Sequence, residues 1–290
     1  MFILNEKEIK KRQEEIRDAY LVDLDENLNS YQEFFQLIFP NGEITVNGNK
    51  ESGVNAIQDK IKEIREWIML VFETTLQVSQ ESESETPAFD PVAIPTETSK
   101  KIIKGVLKVL SCGKNLTDNA LYFISDISQT MNIEVAIVTR IIDQIESEIR
   151  QSFFNHLLSN LSDDQCFQCA ILIYKAIYAD NQVHPAEYKY IKNVLQLLKY
   201  DSARLEKVKE VSKTTMPINS LRINEKLTCH LFKTIIEIVL CDQDFDARES
   251  KFVQEMGSAL GYDKDSLDQI LQPIAASMMV KDSLFPRLAI

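Results

Sequence analysis

The sequence predicts an all-α protein, and three observations carry that expectation. Apolar residues recur at three- and four-residue steps nearly throughout. Only 7 glycines and 8 prolines fall among 290 residues. Proline, serine and glutamate break the helical pattern plainly in one place, "SQESESETPAFDPVAIPTETS", residues 79–99.

Each element follows from that pattern in order. A first helix is expected from about Glu6 to Phe39, with Ile9, Ile16, Tyr20, Leu24, Leu28, Tyr31, Phe35 and Ile38 on one stripe. Pro40-Asn41-Gly42 stops it, and "EITVNGN" reads as a turn or weak hairpin. A second helix is expected from about Val54 to Val78. Two helices bury a limited core, so residues 1–78 read either as a coiled-coil-like interaction arm or as a hairpin packed in cis. Residues 79–99 read as a flexible linker. Further helices are expected at about 99–111, 117–130, 134–158, 163–179, 185–199, 202–213, 224–241, 247–260 and 264–280. The organisation expected is an N-terminal helical unit (1–78), the linker (79–99), a helical extension (100–150) and an all-α domain (151–290).

Composition excludes several classes of function. Hydrophobic residues are 44% and charged residues 26%, as in a soluble protein with a full core. The longest apolar run, Trp67 to Phe72, is far shorter than the roughly 20 residues of a membrane span. "MFILNEKEIKKRQEE" lacks the basic leader and apolar centre of a signal peptide. Five cysteines without framework spacing fit a reducing compartment, so a cytoplasmic location is expected. A net charge of -12 argues against nucleic acid, which needs a basic face for its phosphates. The acids are concentrated before residue 100, and residues 151–290 are almost balanced. Acid clusters in that part of the chain are therefore local features.

One repeat stands out. "ADNQVHPAEYKYIKNVLQLLKYD", from Ala179, aligns without a gap on "CDQDFDARESKFVQEMGSALGYD", from Cys241, at an offset of 62. Asp180 falls on Asp242, Glu187 on Glu249, Leu198 on Leu260 and Tyr200-Asp201 on Tyr262-Asp263. Each copy is a helix, an acidic turn, a second helix and a Tyr-Asp pair, an arrangement that predicts a pseudo-twofold domain. A fainter third copy, without the acids, starts at Gly113 or is simply another helix pair. The twice-present Ala/Cys-Asp-x-x-apolar-x-x-x-Glu pattern resembles the tellurite-resistance TerB-like family over about residues 150–290. That resemblance implies a small all-α domain of two pseudo-twofold halves with acids at the turns. Asn181-Gln182 and Gln243 depart from the family's pattern, in which a glycine commonly follows the aspartate.

The acidic turns admit two readings. An EF-hand loop begun at Asp242 would have Ala247 where glycine is required and Val253 where the bidentate glutamate belongs, so the turn is not an EF-hand. Helix capping accounts for part of it: Asp246-Ala247-Arg248-Glu249 fits a capping box, and Pro185 suits a first helical position. Capping leaves Asp180 and Asp242 at the C-terminal ends of helices, where the macrodipole disfavours anions, and leaves Asp244 without a role. Asp242, Asp244, Asp246 and Glu249 in the second copy, with Asp180 and Glu187 in the first, form an oxygen-rich set of the kind hard divalent cations take, calcium or magnesium above all.

Other chemistry is weaker. Cys166-x-x-Cys169 lies inside an amphipathic helix without a second Cys or His pair at zinc spacing, so buried thiols are expected. His156, His184 and His230 have no i,i+4 histidine partner, and no phosphate loop or nucleophile elbow is present. The chain is expected not to be an enzyme. The leading expectation is a cytoplasmic, TerB-like, cation-responsive module that docks other proteins through its N-terminal helical unit in bacterial stress or tellurite-type defence. The alternatives are a metal-independent structural adaptor and, last, a metal-dependent hydrolase.

Overall fold

The computed structural model describes residues 5–38, 43–46, 49–80, 88–90, 94–112, 116–179, 198, 200–214, 225–240 and 247–286. The regular structure among these residues is helical except for one hairpin, in agreement with the all-α expectation. Helix α1 runs Glu6–Ile38, and strands β1 (Glu43–Val46) and β2 (Asn49–Ser52) pair antiparallel with Glu43 opposite Ser52. Then come α2 (Gly53–Gln80), α3 (Thr96–Leu110), α4 (Asp118–Thr130), α5 (Val135–Ser159) and α6 (Asp163–Ile177). The last four are α7 (Ser202–Ser212), α8 (Glu225–Val239), α9 (Ala247–Ala259) and α10 (Lys264–Leu284). The helix expected at 185–199 falls almost wholly outside the described residues.

The chain divides into two compact units. One comprises Leu4–Glu146 with Val280–Ile290, so helices on both sides of the 79–99 stretch share a core. Leu24 and Leu28 of α1, Trp67, Ile68 and Phe72 of α2, Ile103 and Leu107 of α3 and Phe123 and Ile127 of α4 are all buried in it. Gly105 lets α3 approach closely: a Cβ there would stand 2.7 Å from Phe72 Cζ and 2.8 Å from Tyr20 Cδ1. The α1–α2 hairpin is thus packed in cis. Gln13 Nε2 donates to the Val109 carbonyl at 3.0 Å and Ser79 Oγ donates to Gln13 Oε1 at 3.3 Å, satisfying buried polar groups on three helices. The 79–99 stretch is shorter as a connection than its composition suggests. Ser79 lies buried in α2, and α3 begins at Thr96 with Thr98 and Ser99 buried. Residues 81–87 and 91–93 lie outside the described set.

Helix α4 starts on Thr117, whose Oγ1 accepts from Ala120 N at 3.3 Å. It ends with Asn132 at φ 53°, and the Ile133 N–H closes back to the Ser128 carbonyl at 3.0 Å. The end of α10 returns to this unit, where Lys281 Nζ reaches Glu146 Oε1 at 3.0 Å and Phe285 is buried.

The second unit spans Ser147–Met279. Its core draws on Cys169, Ile173 and Ile177 of α6, Val208 of α7, Phe232, Ile235 and Val239 of α8, Val253 and Met256 of α9, and Leu267 of α10. Ser162 opens α6 with a reciprocal capping box: Ser162 Oγ accepts from Gln165 N, and Gln165 Oε1 accepts from Ser162 N. Asp201 caps α7 by accepting from Arg204 N at 2.8 Å, and Asp263 caps α10 by accepting from Ser266 N, also at 2.8 Å.

The helix bounds keep the register of the sequence repeat. Asp163–Ile177 and Glu225–Val239 are 62 residues apart at both ends, as are the starts Ser202 and Lys264. Buried positions coincide too, with Ala170 matching Phe232, Ile173 matching Ile235 and Ile177 matching Val239. The superposition of Asp180 on Asp242 that a pseudo-twofold arrangement calls for involves residues outside the described set.

Candidate functional site

Of the six acids singled out in the sequence, Asp180, Glu187, Asp242, Asp244 and Asp246 lie outside the described residues. Glu249 is described. It is the third residue of α9 and only 1% exposed. Its burial follows from helix periodicity: 249, 253 and 256 share one face, and Val253 and Met256 lie in the core. The carboxylate therefore enters the protein on the apolar stripe, close to the open N–H groups of the first turn, whose positive dipole end favours it. Glu249 is not left without a partner. The sequence groups it with the aspartates before it, and the fold makes it a buried acid in the first turn of α9. Among the described residues, no three His, Cys, Asp or Glu side chains are grouped to hold a metal ion.

Of the described cysteines, Cys112 and Cys169 are buried and Cys166 is half-buried. Burial, with a smaller contribution from Cys166, pushes the Cys169 thiol up to about 12. Burial also raises Cys166, whose Sγ faces the Leu158 carbonyl at 3.7 Å, and raises Cys112. Thiols held above their ordinary range are poor nucleophiles and poor metal ligands at neutral pH.

A feature the sequence reading passed over is the cation Arg204 on α7. Its guanidinium lies 4.3 Å from the Tyr200 ring centroid and 5.9 Å from that of Phe167, and it is paired with Asp163. Lys207 stands 5.7 Å from the same Phe167 ring. These contacts fasten α7 to the first turn of α6. In the second copy Tyr262 stacks on Phe232 with centroids 5.2 Å apart, so each Tyr-Asp pair supplies an anchoring ring and a helix cap. The sequence signal for these anchors is the duplicated pair Tyr200-Asp201 and Tyr262-Asp263.

Residues 166–272 match the family model described as Tellurite resistance protein TerB. This part of the chain is TerB-like. The TerB-like segment begins within α6, ends within α10 before Pro273, and lies wholly inside the Ser147–Met279 unit. It contains both acidic turns and Glu249. Neither a comparison with curated proteins nor one with solved structures gives a match. Among the described residues, no helix is long and apolar enough to cross a membrane.

Proposed function

We propose that the TerB-like segment is a cation-responsive module that docks other proteins, acting in the cytoplasm in bacterial stress or tellurite-type defence and not as an enzyme. The observation that carries this reading is Glu249, 1% exposed, in a stretch of sequence that holds Asp242, Asp244 and Asp246 within the seven residues before it. Carboxylates close together repel, because each ionised group raises the cost of the next. Calcium or magnesium, bound through oxygen, would relieve that repulsion, with Asp180 and Glu187 forming a weaker counterpart in the first copy.

The test is a thermal melt of the full chain with and without millimolar calcium, magnesium, manganese or zinc, set beside the Asp242→Asn/Asp244→Asn variant. A ligand that selects the folded state at a hundred times its Kd adds about 2.7 kcal/mol. A melting temperature that rises for the wild type and not for the variant is the expected result. An unchanged wild type would sink the cation reading.

A metal-independent adaptor is the second reading, and the caps favour it. Asp201 and Asp263 show that aspartates in this chain start helices, and Glu249 sits where the reach-back glutamate of a capping box belongs. Under this reading Asp242→Asn and Asp244→Asn leave stability unchanged or slightly improved. A hydrolase needs a positioned general base and an open site; nothing described favours one.

A further inference from the structure

Between α2 and α3 the described residues include Ala88, Phe89 and Asp90; Ala88 and Asp90 are exposed and Phe89 is half-buried. The Phe89 ring stands edge-on to Trp67, 5.8 Å between centroids, and 5.9 Å from Phe123 at an interplanar angle of 59°. Both neighbours belong to helices and are buried, Trp67 on α2 and Phe123 on α4. The slot they form is thus built by the helices, while its occupant lies outside them, between the exposed Ala88 and Asp90. One wall is polar as well: Trp67 Nε1 is buried and has no hydrogen-bond partner among the described residues. A phenyl ring offers that donor no good acceptor, so Phe89 fills the slot's volume and leaves its hydrogen bond unmade.

We propose that Phe89 is a removable plug and that the slot between Trp67 and Phe123 receives an aromatic side chain on an extended peptide. The chemistry of the competing peptide follows from the plug and from the orphan donor. It carries an aromatic residue beside an acid and a proline, as in Ala88-Phe89-Asp90-Pro91, and presents a backbone carbonyl to Trp67 Nε1–H. A short tether gives the plug an effective concentration on the order of millimolar, so a peptide of equal intrinsic affinity enters only when it exceeds that level or when the plug is withdrawn. The device is an autoinhibitory contact, independent of the cation reading and located in the other compact unit.

Trp67 is the only tryptophan, so its emission reports the slot directly. The experiment uses the full chain as wild type, Phe89→Ala and Phe89→Leu, titrated with a synthetic peptide spanning residues 85–95 and with the same peptide bearing alanine in place of Phe89. The variants are expected to melt cooperatively within a few degrees of the wild type. Their Trp67 emission should respond saturably to the aromatic peptide, with an apparent affinity more than tenfold above the wild type's, and not to the alanine peptide. Phe89→Leu serves the same titration should Phe89→Ala lose its fold. Loss of cooperative melting in both variants would make Phe89 an ordinary core residue and overturn the proposal. Equal responses in wild type and variants, or no response in a folded variant, would overturn it as well.

Discussion

Glu249 illustrates how much one side chain can decide. A carboxylate at 1% exposure has lost most of its hydration, and its position in the first turn of α9 offsets part of that loss through the helix N–H groups and dipole. Truncation to Glu249→Ala should cost about 1–3 kcal/mol, the usual penalty for stranding the groups that faced a buried polar side chain. Glu249→Gln should cost less, since the amide keeps the shape and an acceptor; urea unfolding of the full chain measures both. The sequence contained the clue, because 249, 253 and 256 are spaced as one helical face. It was obscured by chemistry: an acid next to three aspartates reads as part of their turn. Cys169 was easier to read, as a small thiol on an amphipathic stripe. Its folded pKa of about 12 lies above the ordinary 9.0, so its contribution to stability is complete below pH 9 and is lost as pH rises towards 12. Cys169→Ala should flatten the alkaline limb of a stability-against-pH curve, and thiol reagents should label Cys166 before Cys169.

Two helix crossings rest on glycine, and their substitutions should differ. At Gly105 an added Cβ meets Phe72 Cζ at 2.7 Å and Tyr20 Cγ at 2.9 Å, rings with little freedom to retreat. Overpacking of this kind costs about 1–3 kcal/mol, against a gain of about 1 kcal/mol from replacing glycine by alanine in a helix. Gly105→Ala should therefore be destabilising. At Gly257 an added Cβ meets only Leu267, with Cδ2 at 2.2 Å, Cδ1 at 3.0 Å and Cγ at 3.1 Å, a single aliphatic side chain that can shift at some cost within the core, so Gly257→Ala should be destabilising by less than Gly105→Ala. Paired thermal melts test the contrast. Helix positions themselves were plain in the sequence because apolar spacing and caps agree: Ser162, Asp201 and Asp263 stand one residue before the helices they start. The connection after α2 was harder. Prolines and Ser-Glu repeats announce a linker, and composition cannot reveal that Phe89 finds a slot between Trp67 and Phe123, because both walls are distant in sequence. Nor could it show that Ser79 and Ser99, at the edges of that stretch, are buried.

For the whole chain, the separation into two units gives the cation proposal a spatial signature. Calcium or magnesium should slow amide exchange across α8 and α9, which flank Asp242, Asp244 and Asp246, while α3 and α4 in the other unit keep their rates. Uniform slowing over both units, or none, would count against a bound ion at the second acidic turn. The Asp163–Arg204 pair has a practical consequence. Family resemblance begins at residue 166, whereas the contacts that start α6 begin earlier, with the Ser162 capping box and the Asp163 carboxylate that holds Arg204 over Tyr200. At the other end, the match stops at residue 272 and omits Ile274, which belongs to the core. The heritable signature is therefore narrower than the cooperative object that must fold. Excised as residues 166–272, the domain should bind hydrophobic dye and melt without a sharp transition, whereas residues 147–279 should give a single sigmoidal curve.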